Sequence, residues 1–176
     1  MNINEDIKWF PMRVTYNREL KIKESLDKYC IDSFIPMKYE WINKKRALVP
    51  AIHNLIFIHS TQETITELKM RKKEFEPLRY IMHSSPDGHK HILHVPELQM
   101  NNFIKVASVQ DDSVMFLDSS DYINKIGKNV KIVEGQFKDV EGVVKRIKNN
   151  KYVVVQIEGV AAVAITYVPA CWIVEI

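Results

Sequence analysis

The fold is decided by the stretch Gly135-Gln136-Phe137-Lys138-Asp139-Val140-Glu141-Gly142-Val143-Val144. Its two glycines frame a loop around Phe137. Residues 127–133 before the loop alternate apolar and polar side chains, and residues 143–147 resume a β pattern after it. Gly135 can adopt the positive φ that a tight loop needs, and Gly142 lets two backbones approach closely. The stretch therefore predicts the start of a small β-barrel.

The region from residue 126 onward predicts five short strands separated by turn residues. The strands are placed at residues 127–133, 141–148, 152–157, 161–167 and 171–176. Asn149 and Asn150 form the predicted hairpin turn between the second strand and the third. This spacing favours a small SH3-like five-stranded β-barrel, which closes its edges on itself.

The residues before about position 108 mix strand and helix patterns. Strands are predicted at residues 9–15, 33–39, 54–59, 78–82 and 91–95. Helices are predicted after Asn17 as N-cap, after the capping box Ser60-Thr61-Gln62-Glu63, and from Pro96 onward. The order βαββαβ matches a split βαβ fold, an antiparallel sheet with helices on one face. The fold class predicted for the chain is α+β.

Glycine and proline divide the chain into two parts. Four of the five glycines lie at or after residue 127, whereas six of the seven prolines precede residue 100. Residues 109–125 are polar and acidic around an apolar island at 114–117, which is typical of a linker that docks locally. We predict an N-terminal domain at 1–108, a linker at 109–125 and a barrel domain at 126–176.

Composition points to an ordinary globular protein with a slight basic excess. Of 176 residues 46% are hydrophobic, and the net charge is +3, so nucleic acid can lie near the working surface without being held by charge alone. Cys30 and Cys171 are far apart, which favours two buried thiols over a disulfide. The first thirty residues have no apolar run typical of a signal peptide, and no stretch approaches the ~20 apolar residues of a membrane helix. We expect a cytoplasmic protein.

Four histidines between positions 83 and 94 raise the alternative of a metal-dependent enzyme. Strand alternation places His91 and His94 on opposite faces, and His89 lies beside the turn at 86–88. The spacing predicts neither a Ser-His-Asp nor a Cys-His arrangement, and Gly88 is the only glycine before residue 127. The sequence therefore predicts no enzyme, no metal site and no cofactor.

A compact basic cluster, Lys44-Lys45-Arg46, follows Trp41 in a predicted loop. Three consecutive cations are often no more than a solvated turn. The alternative is contact with nucleic acid, in which the cations bind phosphates and Trp41 stacks on a base. Sequence alone weighs the two about equally.

The segment around Pro50 is apolar where a loop is predicted. A core strand explains residues 55–58, but it does not explain Leu48, Val49 and Ile52. Apolar side chains in a loop favour a partner-binding surface.

Both halves of the chain together resemble the NusG family, most closely its specialised UpxY-like antiterminators. The first half carries the resemblance in Trp9-Phe10, Phe34-Ile35-Pro36, Pro50 before Leu55-Ile56-Phe57-Ile58, and Val95-Pro96-Glu97. The second half resembles the KOW domain of that family, with Gly135, Phe137 and Gly142 in its motif.

The resemblance implies a non-catalytic factor of transcription elongation. The N-terminal domain is expected to bind the clamp helices of the largest catalytic RNA polymerase subunit and so reduce pausing or termination. The implied docking residues are Leu48, Val49, Pro50, Ile52, His53 and Leu55. Ala51-Ile52-His53-Asn54 follows Pro50 where the family commonly has Gly-Tyr after the proline. Non-template DNA is a further implied partner, through Trp41, Lys44, Lys45 and Arg46.

The resemblance also implies a partner for the KOW domain, either a ribosomal protein or Rho. The implied contact is the loop Ile157-Glu158-Gly159-Val160. Glu158 and Val160 depart from the aromatic and basic residues that flank this glycine in the general factor, so these two partners are the least supported. The alternative function is a KOW-containing RNA- or ribosome-associated binding protein. That alternative predicts a basic, aromatic-rich barrel face, whereas residues 161–164 are Ala-Ala-Val-Ala.

Overall fold

The structure is a computed structural model that describes residues 6–122 and 127–176. Contacts group the chain into two compact units. The first comprises the chain up to Ile35 together with His53–Glu97, and the second comprises Pro36–Ile52 and Leu98–Ile176. The sequence-based boundaries at 108 and 126 stay a prediction.

The described residues form helices and strands in mixed order. The helices are α1 (Glu19–Lys28), α2 (Gln62–Arg71), α3 (Glu97–Ala107) and α4 (Ser119–Tyr122). The strands up to residue 92 are β1 (Lys8–Val14), β2 (Asp32–Phe34), β3 (Met37–Ile42), β4 (Lys45–Pro50), β5 (Leu55–Ser60), β6 (Leu78–Tyr80), β7 (Met82–Ser84) and β8 (Lys90–Ile92). The remaining strands are β9 (Val114–Phe116), β10 (Lys128–Ile132), β11 (Glu141–Ile147), β12 (Asn150–Ile157), β13 (Ala161–Ile165) and β14 (Ile173–Glu175).

A four-stranded antiparallel sheet forms the centre of the first unit, in the order β2-β5-β1-β6. Strand β5 is central and its residues 55–58 are fully buried, which is why they form a continuous apolar run instead of alternating. Helix α1 packs Ile22 and Leu26 into the core, four residues apart on one helical face. The predicted burial of the thiols is wrong, because Cys30, two residues after the end of α1, and Cys171 are both free and exposed. Burial of each large apolar side chain stabilises the fold by roughly 1.5–3 kcal/mol.

Two predicted helix caps are wrong. Asn17 does not cap α1, because it lies in a short 3-10 turn with φ of 50° and its backbone N–H donates to the Asn54 side chain. Thr61, not Ser60, caps α2, since its hydroxyl accepts a hydrogen bond from the Thr64 N–H at 3.1 Å. Both Ser60 and Thr61 are good cap residues, and Ser60 is instead the last residue of β5.

The predicted strand at 33–39 is two strands, and the predicted loop before Pro50 is a strand. Pro36 separates β2, in the four-stranded sheet, from β3, which pairs only with β4 in a two-stranded hairpin. Pro36 lacks a backbone N–H, so it interrupts the ladder. The basic cluster and Leu48 therefore lie on a β-hairpin rather than in an irregular loop. The hairpin β7–β8 likewise splits the strand predicted at 78–82.

The second unit contains a six-stranded antiparallel sheet in the order β14-β10-β11-β12-β13-β9. All five predicted strands are present, and the apolar island of the predicted linker adds β9, which pairs with β13. The hairpin turn is Lys148-Asn149, with φ of 46° and 71°, and Asn150 already belongs to β12. Positive φ at both turn residues is the signature of a type I′ turn.

Both framing glycines behave as the sequence predicts. Gly135 has φ of +82°, and a Cβ there would lie 2.4 Å from the Trp172 ring. A Cβ on Gly142 would lie 2.8 Å from the Val154 carbonyl oxygen, so this glycine permits close strand approach. Phe137 is buried between them, 7% exposed. The α+β class is confirmed, and the C-terminal sheet is consistent with a KOW-like domain that has six strands instead of five.

Candidate functional site

The hairpin β3–β4 carries an aromatic face. Residues directly opposite in an antiparallel pair share a face, and Tyr39 is opposite Leu48 while Trp41 is opposite Arg46. These four side chains therefore lie on one face. Trp41 is 76% exposed, and Tyr39 and Leu48 are also exposed. Large apolar groups on an open two-stranded ribbon are typical of a contact surface.

Arg46 is held against this face. Its guanidinium carbon lies 4.2 Å from the centre of the Tyr39 ring, within the range of a cation–π contact. The opposite face of the hairpin mixes charged and aliphatic side chains. Lys38 and Glu40 form a salt bridge of 2.6 Å there, and Ile42, Ala47 and Val49 share that face. The two faces thus differ in chemistry, and only one offers aromatic rings.

The hairpin turn brings the predicted nucleic-acid residues together. Asn43 and Lys44 form the turn with φ of 49° and 64°, and Lys45 and Arg46 begin β4. All three cations are exposed. Trp41 is directly opposite Arg46, while Lys45 lies on the other face because successive residues alternate. Tyr39 was missed from sequence, although its spacing of two residues from Trp41 would have placed both rings on one strand face.

The predicted docking residues differ in how accessible they are. Leu48 and His53 are exposed, and Val49, Pro50 and Ile52 are partly exposed. Leu55 is fully buried in β5, so its side chain is not available to a partner in this conformation.

Asn54, which lies within the predicted docking segment, is fixed by three hydrogen bonds to groups of the first unit. It has φ of 60°, and its N–H donates to the Glu19 carboxylate at 3.3 Å. Its carbonyl accepts from the Val14 N–H, and its side-chain oxygen accepts from the Asn17 N–H, both at 2.9 Å. Glu19 is 2% exposed. Sequence reasoning missed this network, because Glu19 is 35 residues from Asn54.

Trp9 belongs to the core of the first unit rather than to its surface. Its ring stacks on His59 at 4.5 Å between centres, and His59 Nε2 lies 3.4 Å from a Glu97 carboxylate oxygen. Its backbone forms a bridge with Val95. The Trp9 ring therefore packs on His59 of β5, and His59 in turn contacts Glu97 at the start of α3.

An acidic segment shares a cleft with the hairpin inside the second unit. The cleft has a volume of about 290 Å³, and its lining includes Lys38, Tyr39, Arg46, Asp111 and Asp112. Hydrogen bonds from Ser113 hold the pKa of the Asp111 carboxyl below its usual value. Asp111 is therefore ionised at neutral pH, on the same cleft as two hairpin cations.

The histidine group lies in and next to the hairpin β7–β8, which belongs to the first unit. His83 is directly opposite His91 in the β7–β8 ladder, and the His89 N–H donates to Asp87 in the turn. Among the residues described by the structure, no group of three or more His, Cys, Asp or Glu side chains could hold a metal ion. No helix in that part of the chain is long and apolar enough to cross a membrane.

The predicted partner loop of the C-terminal sheet is a tight turn between β12 and β13. Ile157 and Val160 are buried, and the Val160 N–H donates to the Ile157 carbonyl at 3.0 Å. Glu158 and Gly159 alone are exposed. Residues 161–164 are fully buried, so the alanines form the core of the sheet instead of a face.

Comparison with known families identifies the first half of the chain. The family model described as NusG, transcription termination factor nusG, matches residues 7–104, which is more than half of the chain. The chain belongs to the NusG family. No curated protein matches it. NusG-family factors are non-catalytic transcription proteins that generally bind RNA polymerase, and the match includes the whole hairpin β3–β4 and the segment after it.

Proposed function

We propose that this NusG-family chain is a transcription elongation regulator of the specialised, UpxY-like antiterminator type. It binds RNA polymerase through its N-terminal region and reduces pausing or termination without catalysing a reaction. The observation that carries the proposal is the apolar segment at 48–52, which lies inside the family match. Its Leu48 is exposed, and Val49, Pro50 and Ile52 are partly exposed. The matched residues are in the N-terminal half, which supports this function over a KOW-containing RNA- or ribosome-associated protein.

The proposed polymerase contact is apolar. Leu48 lies beside Tyr39 on the hairpin face, and Val49, Pro50 and Ile52 follow with partial exposure. Exposure of apolar side chains to water is unfavourable, and the free energy falls when a partner covers them. The clamp helices of the largest catalytic RNA polymerase subunit are the proposed partner, because the resemblance to the NusG family implies them. The hydrogen bonds around Asn54 keep the end of this segment in one conformation.

The proposed nucleic-acid contact lies at the hairpin turn. Lys44, Lys45 and Arg46 neutralise phosphates of non-template DNA, and the exposed ring of Trp41 stacks on a base. Stacking on an aromatic ring is worth about 1–3 kcal/mol per base and tolerates any base. This contact orients the factor on the elongating complex without reading a sequence.

A shift in the populations of polymerase states explains the effect without catalysis. A factor that binds the closed, elongating clamp more tightly than the open clamp favours elongation by the difference in its two binding free energies. A tenfold difference in affinity corresponds to about 1.4 kcal/mol. The C-terminal sheet then recruits a further partner through Glu158 and Gly159.

The proposal is tested by transcription through a terminator in vitro. Purified polymerase, with and without the factor, transcribes a template that carries the native leader region upstream of an intrinsic terminator. We expect the wild-type chain to raise read-through and the double variant Leu48→Asp/Ile52→Asp to lose this effect. Read-through that rises equally with the variant, or not at all with wild type, contradicts the proposal.

A second prediction concerns the hairpin cations. Replacing Lys44, Lys45 and Arg46 with alanine should weaken binding to single-stranded DNA and reduce the slope of log affinity against log salt by about 2, since each single-strand phosphate contact contributes about 0.7. Fluorescence anisotropy at several salt concentrations measures both quantities. An unchanged slope rules out phosphate contact by these residues.

A further inference from the structure

The C-terminal sheet has a cationic cleft outside the predicted partner loop. The cleft has a volume of about 420 Å³, and its lining includes three cations, Lys128, Arg146 and Lys151, one carboxylate, Glu175, and the aliphatic side chains of Val144 and Ile173. Lys148 stands at the adjoining turn. We propose that this cleft is a second nucleic-acid contact, which binds the phosphodiester backbone independently of the hairpin β3–β4.

Strand register places the cations on one face of the sheet. Arg146 of β11 is directly opposite Lys151 of β12, and Lys128 of β10 is directly opposite Val144, two residues before Arg146. Side chains two residues apart share a face of a strand. The type I′ turn at Lys148-Asn149 connects the two strands rigidly, so the cations are held in place before a ligand arrives.

This arrangement does not serve the stability of the fold. Like charges directly opposite in an antiparallel pair are destabilising, and Arg146 and Lys151 form such a pair. Within the described residues the recorded salt bridges include neither of these two side chains. Lys128 differs, since it pairs with Glu175 at 2.8 Å. A polyanion in the cleft would relieve the repulsion at Arg146 and Lys151.

The chemistry of the cleft favours a phosphate polymer over an acidic peptide. A peptide is held by an open strand edge or by aromatic anchors in pockets. The strands that carry the cations, β10, β11 and β12, are each paired on both sides, and the edge strand β14 supplies only Ile173 and Glu175. The described residues that line the cleft include no aromatic side chain. The cleft therefore offers charged side chains and the aliphatic side chains of Val144 and Ile173. These suit sequence-independent contact with a chain that carries one charge per nucleotide.

The buried alanines remove the objection that the sequence raised against a nucleic-acid role for this region. Residues 161–164 are in the core, and the side of the sheet near the β11–β12 turn is basic instead. Arg146, Lys148 and Lys151 are exposed around the β11–β12 turn, whereas Lys145 is buried on the opposite face and donates to Gln156 at 2.8 Å. The charge is therefore concentrated at one end of the sheet, which is the electrostatic footprint of nucleic-acid contact.

The test measures binding of the full chain to three labelled probes: a 20-nucleotide oligo(U), an oligo(dT) of the same length and a 20-base-pair duplex. Anisotropy is recorded across a salt series for wild type and for Arg146→Gln/Lys151→Gln. Loss of two single-strand phosphate contacts predicts a slope smaller by about 1.4 and affinity roughly 20-fold lower at 0.1 M salt. Equal loss on RNA and DNA identifies the shared backbone as the ligand, and loss on one probe identifies that nucleic acid as the source.

The control for net charge is Lys131→Gln/Lys138→Gln, which removes the same charge outside the cleft, from β10 and from the loop after it. Lys131 lies 3.6 Å from Asp139. An equal loss in the control means that net charge alone is responsible, and this overturns the proposal. Unchanged binding of all three probes by Arg146→Gln/Lys151→Gln also overturns it. Lys151→Glu adds a discriminating measurement, because it converts the like-charge pair into an opposite-charge pair. It should retain or raise the melting temperature while losing the probes.

The outcome is separable from that of polymerase docking. The variant Leu48→Asp/Ile52→Asp should bind the three probes as wild type does, and Arg146→Gln/Lys151→Gln should still bind polymerase. Loss of probe binding by the Leu48 and Ile52 variant places the contact elsewhere and overturns the proposal of an independent cleft.

Discussion

Gly135 illustrates how a single missing side chain supports the C-terminal sheet. Its φ of +82° strains any residue with a Cβ, and the added Cβ would lie 2.4 Å from the Trp172 ring. Gly135→Ala therefore combines a left-handed backbone cost of about 1–2 kcal/mol with an overpacking cost of about 1–3 kcal/mol. We expect the free energy of unfolding to fall by the sum of these two costs. Urea denaturation measures this change.

Gly159 provides the control for this prediction. It has a similar φ of +71°, but a Cβ there would meet nothing within 4 Å. Gly159→Ala should cost only the backbone contribution of about 1–2 kcal/mol. Equal urea midpoints for the two alanine variants would show that the contact with Trp172 contributes nothing.

At the level of elements, we predict that the acidic segment beside β9 competes with nucleic acid for the hairpin. Asp111 and Asp112 line the same cleft as Arg46 and Tyr39, and the low pKa of Asp111 keeps it charged at neutral pH. Asp111→Asn/Asp112→Asn should therefore raise the affinity of the chain for single-stranded DNA about two- to fivefold at low salt, because local repulsion of phosphate is removed. Asparagine at position 111 retains the oxygen that accepts from the Ser113 N–H.

Asp118→Asn/Asp121→Asn is the matched control, since it changes the net charge equally and lies outside that cleft. Anisotropy with the same DNA probe compares the two variants. If both raise affinity to the same extent, the effect is one of net charge and not of position beside Arg46.

Sequence predicts elements well where pattern and chemistry agree, and less well at their ends. The buried run 55–58 and the stripe of Ile22 and Leu26 identify β5 and α1 because burial enforces their spacing. The cap of α2 differs from the prediction because Ser60 and Thr61 are both able to cap, and only strand pairing decides between them. Strand β4 was predicted as a loop because its charged and apolar residues lie on a two-stranded ribbon and are all exposed or only partly buried.

The candidate site shows the same division. The exposed aliphatic and basic residues of the hairpin were found from composition alone, since they are unusual for a loop. Tyr39, the cleft with Asp111 and the Asn54 network required strand register and distant contacts. The buried position of residues 161–164 also required the structure, because Ala-Ala-Val-Ala has neither the alternation nor the bulk that indicates an inward face.

At the scale of the whole molecule, the surfaces proposed for contact lie mainly in the second unit. The hairpin in that unit offers rings, cations and Leu48, and His53 in the first unit continues the predicted docking segment. The basic cleft of the C-terminal sheet is the proposed second nucleic-acid contact. A NusG-family chain with these surfaces can bind polymerase by apolar contact and nucleic acid by charge and stacking, so the salt dependence of the two should differ.

The affinity of the chain for purified RNA polymerase tests the central claim most directly. Biolayer interferometry compares wild type, Leu48→Asp and the control Leu20→Asp, because Leu48 and Leu20 have similar exposure, 42% and 44%. Burying a charge in an apolar interface should weaken polymerase binding by Leu48→Asp at least tenfold, or about 1.4 kcal/mol, whereas Leu20→Asp should bind as wild type does. Equal affinities for all three chains would contradict the account.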